Sequence, residues 1–177
     1  QRYARIREIA YRVARDDTIT SGRVSVQLRL VECTLHTLAV WRSAWTGTHP
    51  SGTGGWDWDS LMRRAWKKPS AFHLGTWSGE ALCGLAVGRV SSQRPDGVRE
   101  AVSLDYIESA PHPGHPLRRN IAFIATSAAE AYGRLLGAEW LRLVDPLPGA
   151  LGRYLELGFE VVSDKGPVLY CERRILP

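Results

Sequence analysis

Residues 128–162, "AAEAYGRLLGAEWLRLVDPLPGALGRYLELGFEVV", switch between two periodicities several times in one short stretch. The opening run of small apolar residues has helical spacing and stops at Gly137, because glycine accepts the left-handed backbone that ends a helix. Residues 139–144 set Leu141 and Leu143 against Arg142 with a period of two, which predicts a strand halted by Pro146. A second helix over 149–158 ends at Gly158, and "FEVVSD" begins another strand. Helix, strand, helix and strand punctuated by Gly and Pro are the signature of a mixed α/β chain with short connections.

The same alternation extends in both directions. Upstream, a helix is expected from about Asn120 to Leu136, headed by the basic loop "HPLRR" at 115–119. Residues 99–109, "REAVSLDYIES", read as a strand entered from the turn Pro95-Asp96-Gly97, and residues 71–91 as two strands about Ser78-Gly79. A Gly-rich loop occupies 46–60, and Asp59 or Ser60 is expected to cap a helix "SLMRRAWKK" that Pro69 stops. "HTLAVWRSAW" reads as helical, and "VSVQLRLVECTL" as a strand burying Val24, Val26, Leu28 and Leu30. At the start, residues 1–17 form an amphipathic helix with Tyr3, Ile6, Ile9, Ala10 and Val13 on its apolar stripe. Downstream, "PVLYCERRI" makes a last strand after a turn at Asp164-Lys165-Gly166.

The 177 residues suit one domain, 1–177. Its expected architecture is a single mixed, mostly antiparallel sheet with helices on both faces and an extra N-terminal helix. Lys plus Arg number 23 against 18 Asp plus Glu, a formal +5 that favours anionic partners such as phosphorylated cofactors or RNA. The three cysteines, Cys33, Cys83 and Cys171, are widely spaced among apolar residues, unlike a disulfide or metal framework, and imply buried thiols in a reducing, cytoplasmic setting. No apolar run reaches the roughly 18 residues of a membrane span, so no membrane partner is expected. His112 and His115 lack a third ligand nearby, and no metal is expected. Trp56, Trp58 and Trp66 suit either a substrate groove or buried core area.

From about residue 70 onward the chain resembles the GNAT superfamily of acyl-CoA-dependent N-acetyltransferases. The features that carry the resemblance are Leu136-Gly137 ending a helix, the strand Glu139 to Val144, and a short helix with Tyr154 followed by Leu157-Gly158-Phe159. The family's cofactor loop has Gln or Arg, two residues, Gly, one residue, then Gly or Ala. The matching places here hold Leu117, Asn120 and Ala122, so only the last agrees, and Leu147 stands where the family has Asn. Asparagine tolerates unusual φ values better than most residues, which is the reason to accept Asn120 in the glycine's place.

This resemblance implies direct transfer of an acetyl group from acetyl-CoA to an amine, the enzyme mainly aligning the two substrates. It implies that Tyr154 protonates the departing sulfur and that a carboxylate on the 99–109 strand, Glu108 in preference to Asp105, takes the amine's proton. Asp105 and Glu108 have opposite parity and belong to opposite sheet faces unless a bulge intervenes. The amides of Ile107 and Ser109 would pair with the pantetheine arm as with an added strand. Arg118 and Arg119, with the amides of Asn120, Ile121 and Ala122, would hold the pyrophosphate, since a helix start offers free N–H groups and partial positive charge. Two other readings keep the fold: a non-catalytic module binding acyl-CoA or a protein, and an acetyltransferase that binds RNA or aminoacyl-tRNA through the arginine-rich first helix.

Overall fold

A computed structural model describes residues 1–24, 27–47, 55–162 and 166–177. The elements run α1 (Arg2–Thr20), β1 (Leu28–Val31), α2 (Leu35–Ala44), α3 (Trp58–Trp66), β2 (Phe72–Ser78), β3 (Ala81–Val90), β4 (Arg99–Ser109), α4 (Ile121–Leu135), β5 (Ala138–Val144), α5 (Pro148–Glu156), β6 (Glu160–Val162) and β7 (Tyr170–Arg174). This is the order expected from the sequence.

Tight turns make the first strands antiparallel neighbours: β2 returns as β3 around Gly79, and β3 returns as β4 after Gly97. Helix α4 is the long crossover between β4 and β5, and these two alone among the described pairs run parallel. The sheet order is β1-β2-β3-β4-β5-β7-β6. One face carries α1 and α4 over a core that includes Tyr11, Leu74, Val102, Leu104 and Ile124. Ala125, Ala128 and Ala129, all buried, let α4 lie close to the strands. On the opposite face α2 and α3 enclose Trp45, Trp58, Met62, Trp77 and Leu85. Filling a space of that size takes large rings: truncating one such tryptophan to alanine costs about 3–5 kcal/mol.

Several details differ from the sequence reading. Helix α1 runs past Asp16-Asp17 to Thr20, and its buried residues are Arg7, Ala10, Tyr11, Ala14 and Thr18, while Val13 is exposed. Arg7 tolerates burial because its guanidinium pairs with Glu32 and donates to the carbonyls of Pro69 and Ala71. Tyr11 likewise donates its hydroxyl to the His73 carbonyl at 2.6 Å. Hydrophobicity alone misplaces the stripe by a fraction of a turn, because two polar tips find partners on β2 and on the residues flanking β1 and β2.

The cap of α3 is Asp57, whose carboxylate accepts from the Ser60 amide and hydroxyl, so the helix starts earlier than Asp59 or Ser60 would allow. Leu28 and Leu30 are buried as expected, and Val26 lies outside the described residues. So do residues 48–54 of the Gly-rich segment and 164–165 of the expected last turn. All three cysteines are buried and free. No helix among the described residues is long and apolar enough to cross a membrane.

Candidate active site

Parallel pairing of β4 with β5 runs from Arg99 opposite Ala138 to Leu104 opposite Leu143 and then stops. Among the described residues, strand β4 continues to Ser109 paired only with β3, while β5 ends at Val144 and the chain turns away at Asp145 with φ 48°. The two strands therefore splay. The gap is lined by Leu104, Ile107, Leu143, Val144, Ala150 and Tyr154, and it exposes one edge of β4 over residues 105–109. The Ala110 amide donates to the Cys83 carbonyl on β3. Strand alternation gives Glu108 the same direction and turns the amides of Ile107 and Ser109 to the unpaired edge.

A bulge decides where the side chains go. Leu104 pairs with Gly88 but Tyr106 pairs with Val87, so Asp105 is an extra residue in β4. Parity flips there, and Asp105, Tyr106 and Glu108 all turn to the α3 face. Gly88 permits the kink, since a Cβ at that position would stand 2.1 Å from the Ser103 carbonyl oxygen.

Glu108 is 4% exposed and accepts from the Gly55 amide at 2.9 Å and from the Trp58 indole N–H. It ties the start of α3 to β4 and is not among the residues lining the splay. Asp105 does line the splay, as do Trp56, Tyr106, Asp145 and Leu147. These same five residues continue into a 670 Å³ cleft beneath α3, so the two spaces join there. Asp105 is held by Arg89 through two bonds of 2.8 Å, and Trp56 meets Tyr106 edge-on with ring centres 5.3 Å apart. Of the tryptophans singled out in the sequence, Trp58 is core, Trp66 is half-buried with its N–H on the Cys33 carbonyl, and Trp56 lines the cleft.

Tyr154 reaches the splay from α5. It is 7% exposed, with its ring edge-on to Phe159, and burial pushes its phenol up to about 12. The neighbouring Cys171 adds to the rise and Arg153 opposes it. The hydroxyl is thus protonated at neutral pH.

Beyond the free edge lies the start of α4. No side chain caps it, which leaves the first-turn amides of Ile121, Ala122 and Phe123 without helical partners. Ile121 packs against Gly84 of β3, and Leu117 is fully buried, so the loop is anchored through apolar contacts. Arg118 and Arg119 are exposed. Arg118 donates to the Pro113 carbonyl, and the Arg119 carbonyl accepts from Arg153 of α5. The positive φ expected at Asn120 falls one residue earlier: Arg119 has φ 72° and Asn120 an ordinary −103°. With Leu117 plugged into the core, the strain moves to the residue that turns the chain into the helix. Just upstream, Ser109 Oγ lies 2.8 Å from His115 Nε2. Burial first, then His112 and Arg118, hold the His115 pKa below the ordinary histidine value.

The structure therefore brings Tyr154, Ile107 and the free β4 edge to one gap and turns Glu108 to the opposite face. Sequence reading passed over Asp145, Tyr106, Arg64 and Lys68 as cleft residues, since each comes from an element distant in the chain. The bulge marked by Gly88 was the one local signal for part of this.

No protein-family model and no curated protein sequence matches the chain. Among solved structures it is similar to Ard1 from Thermoplasma volcanium, with a TM-score of 0.61 and 14% identity, over 86% of this chain and 100% of that one. Arabidopsis thaliana Naa50, solved with the bisubstrate analogue CoA-Ac-MVNAL, gives 0.56 and 14%, over 84% and 99% of the two chains. A GNAT-family acetyltransferase from Listeria monocytogenes gives 0.56 and 12%, over 85% and 98%. At these identities the likeness is one of fold, and the fold is that of the GNAT acetyltransferases.

Proposed function

We propose that the protein is an N-acetyltransferase that moves an acetyl group from acetyl-CoA directly to an amine. The observation that carries this reading is the splay between β4 and β5, with a protonated buried phenol on one wall and a free strand edge on the other. An extended amide-bearing arm can pair with the Ile107 and Ser109 amides as an added strand would. A diphosphate suits the uncapped start of α4, where the free amides of Ile121, Ala122 and Phe123 and the charges of Arg118 and Arg119 stand together. The Asn120 amide, also expected there from the sequence, is taken by the Leu117 carbonyl. The complex of Arabidopsis thaliana Naa50 with the bisubstrate analogue CoA-Ac-MVNAL supports carrying a CoA ligand over to a shared fold.

In the transfer, the amine nitrogen bonds to the thioester carbonyl carbon, the carbon–sulfur bond breaks, and Tyr154 gives its proton to the leaving sulfur. The amine's proton leaves to solvent through the open cleft at the junction of the two spaces, which Asp145 and the Arg89-bound Asp105 line. Glu108, expected from sequence to be the base, keeps Trp58 and Gly55 in place and so positions the wall beside Trp56.

A second reading, acyl-CoA binding without transfer, draws support from the buried Leu117 and the displaced positive φ at Arg119, which depart from the family's glycine loop. One experiment addresses both. Acetyl-CoA well above its Kd should raise the melting temperature, since it binds only the native state, and CoA should accumulate once an amine is added. No shift at millimolar acetyl-CoA defeats both readings, and a shift without turnover on any amine leaves only the second.

A further inference from the structure

Beyond the junction, the 670 Å³ cleft becomes basic. Arg64 and Lys68 stand on its α3 side, and among the described residues neither has a carboxylate partner. By contrast, Arg89 on the sheet side is paired with Asp105. The cleft does not close there. Lys68, Ala71, Arg89 and Val144 also border a further 390 Å³ groove, which continues along Ser103, Arg142 and Tyr170. This groove follows the half of the sheet that α2 and α3 leave bare, and Ser70, Ser91 and Ser92 supply hydroxyls along its side. Arg142 is already neutralised by Glu172 and Glu100. The order from the splay outward is thus aromatic and apolar side chains beside Asp145 and the Arg89-paired Asp105, then Arg64 and Lys68, which have no carboxylate partner among the described residues, then a polar trough.

We infer that the acceptor is the N-terminal amine of a polypeptide whose first residue is apolar and whose next residues are acidic. This rests on the acetyltransferase reading and specifies its substrate class. Asp145, which has no cation partner among the described residues, attracts the terminal ammonium, and Trp56, Tyr106 and Leu147 receive the first side chain. Arg64 and Lys68 then meet the acidic side chains that follow. Polyamines and lysine-rich segments fit poorly, since they would carry their second charge toward these cations. A continuous groove favours a polypeptide over a free acidic amino acid, which would leave the trough unfilled.

The test uses the full chain at saturating acetyl-CoA and follows CoA release with three peptides of equal length. Each begins with leucine and continues with two acidic, two amide or two basic residues. The acidic peptide should exceed the basic one roughly tenfold or more in kcat/KM, mostly through KM, with the difference shrinking as salt rises. Reversing both charges, Arg64→Glu with Lys68→Glu, should invert the order, while calorimetry shows unchanged acetyl-CoA affinity. A flat response, or faster turnover of the basic peptide or spermidine, overturns the proposal. Equal turnover of free glutamate or aspartate overturns the polypeptide assignment, and so does acetylation of aminoacyl-tRNA with no peptide accepted. Absence of acetyl-CoA binding in the calorimeter is a separate result: it removes the acetyltransferase reading, and this inference with it.

Discussion

Tyr154 and Glu108 entered the sequence reading as a pair, acid and base, yet their surroundings divide them. The phenol lies against Phe159 in a gap lined by Leu104 and Ile107, and its raised pKa, about 12, follows first from that burial. Proton donation is then available across the whole working range, and kcat should show no alkaline limb from this group below about pH 11. Tyr154→Phe should lower kcat by roughly 100-fold with acetyl-CoA affinity nearly unchanged, as read from steady-state rates and calorimetry. Equal kcat for the variant removes Tyr154 from the chemistry. For Glu108 the expectation is different, because both its oxygens serve N–H groups of the protein. Glu108→Gln keeps one acceptor oxygen, so it should cost about 1–2 kcal/mol in urea unfolding and less than tenfold in kcat. A hundredfold loss of kcat at full stability would instead make Glu108 the base. That Tyr154 belongs to a short helix and Glu108 to the 99–109 strand was legible in the sequence. Which of them meets the cleft depended on a bulge, a property of strand pairing.

Among the elements, β3 and β4 decide the site, because their register shift sets parity on the stretch that matters. Gly88 marks the shift, and its space is bounded by Ser103 backbone, which cannot rotate away as a side chain would. Gly88→Ala should therefore destabilise the fold by roughly 2–4 kcal/mol and displace Asp105, lowering kcat/KM even where the variant folds. Gly84→Ala gives the contrast: its Cβ would meet only the Ile121 side chain, at 2.8 Å, so the cost should be smaller and appear in acetyl-CoA affinity through a shifted start of α4. Comparable unfolding midpoints for the two variants would contradict this account. Element order, the strand 99–109 and the helix near 120–136 were all readable from periodicity and from Gly and Pro positions, because those signals are local. The buried stripe of α1 was not, since Arg7 and Tyr11 go inward only where Glu32, Pro69, Ala71 and His73 supply partners.

At the scale of the whole molecule, α1 closes the sheet at His73. Its imidazole is 6% exposed, Nδ1 has no partner among the described residues, and burial first, then Arg7, lowers its pKa to about 4. A histidine whose folded pKa is depressed contributes stability that is present above about pH 6.5 and is lost as pH falls toward 4, because the unfolded chain binds the proton more readily. Urea midpoints should accordingly drop between pH 7 and pH 4.5, by free energies on the order of a few kcal/mol. His73→Gln should flatten that slope, and an unchanged slope would assign the acid sensitivity elsewhere.

By itself the sequence determined the α/β class and the order of the twelve described elements, since patterning and turn chemistry act over a few residues. Tertiary structure alone decided that β4 and β5 part after Leu104, that Asp105 and Tyr106 share a face with Glu108, and that Arg64 and Lys68 wall one cleft. Those outcomes arise from pairing and packing between segments far apart in the chain. A single extra residue in a strand reverses every side chain beyond it, and no periodicity within that strand announces which partner will impose the reversal.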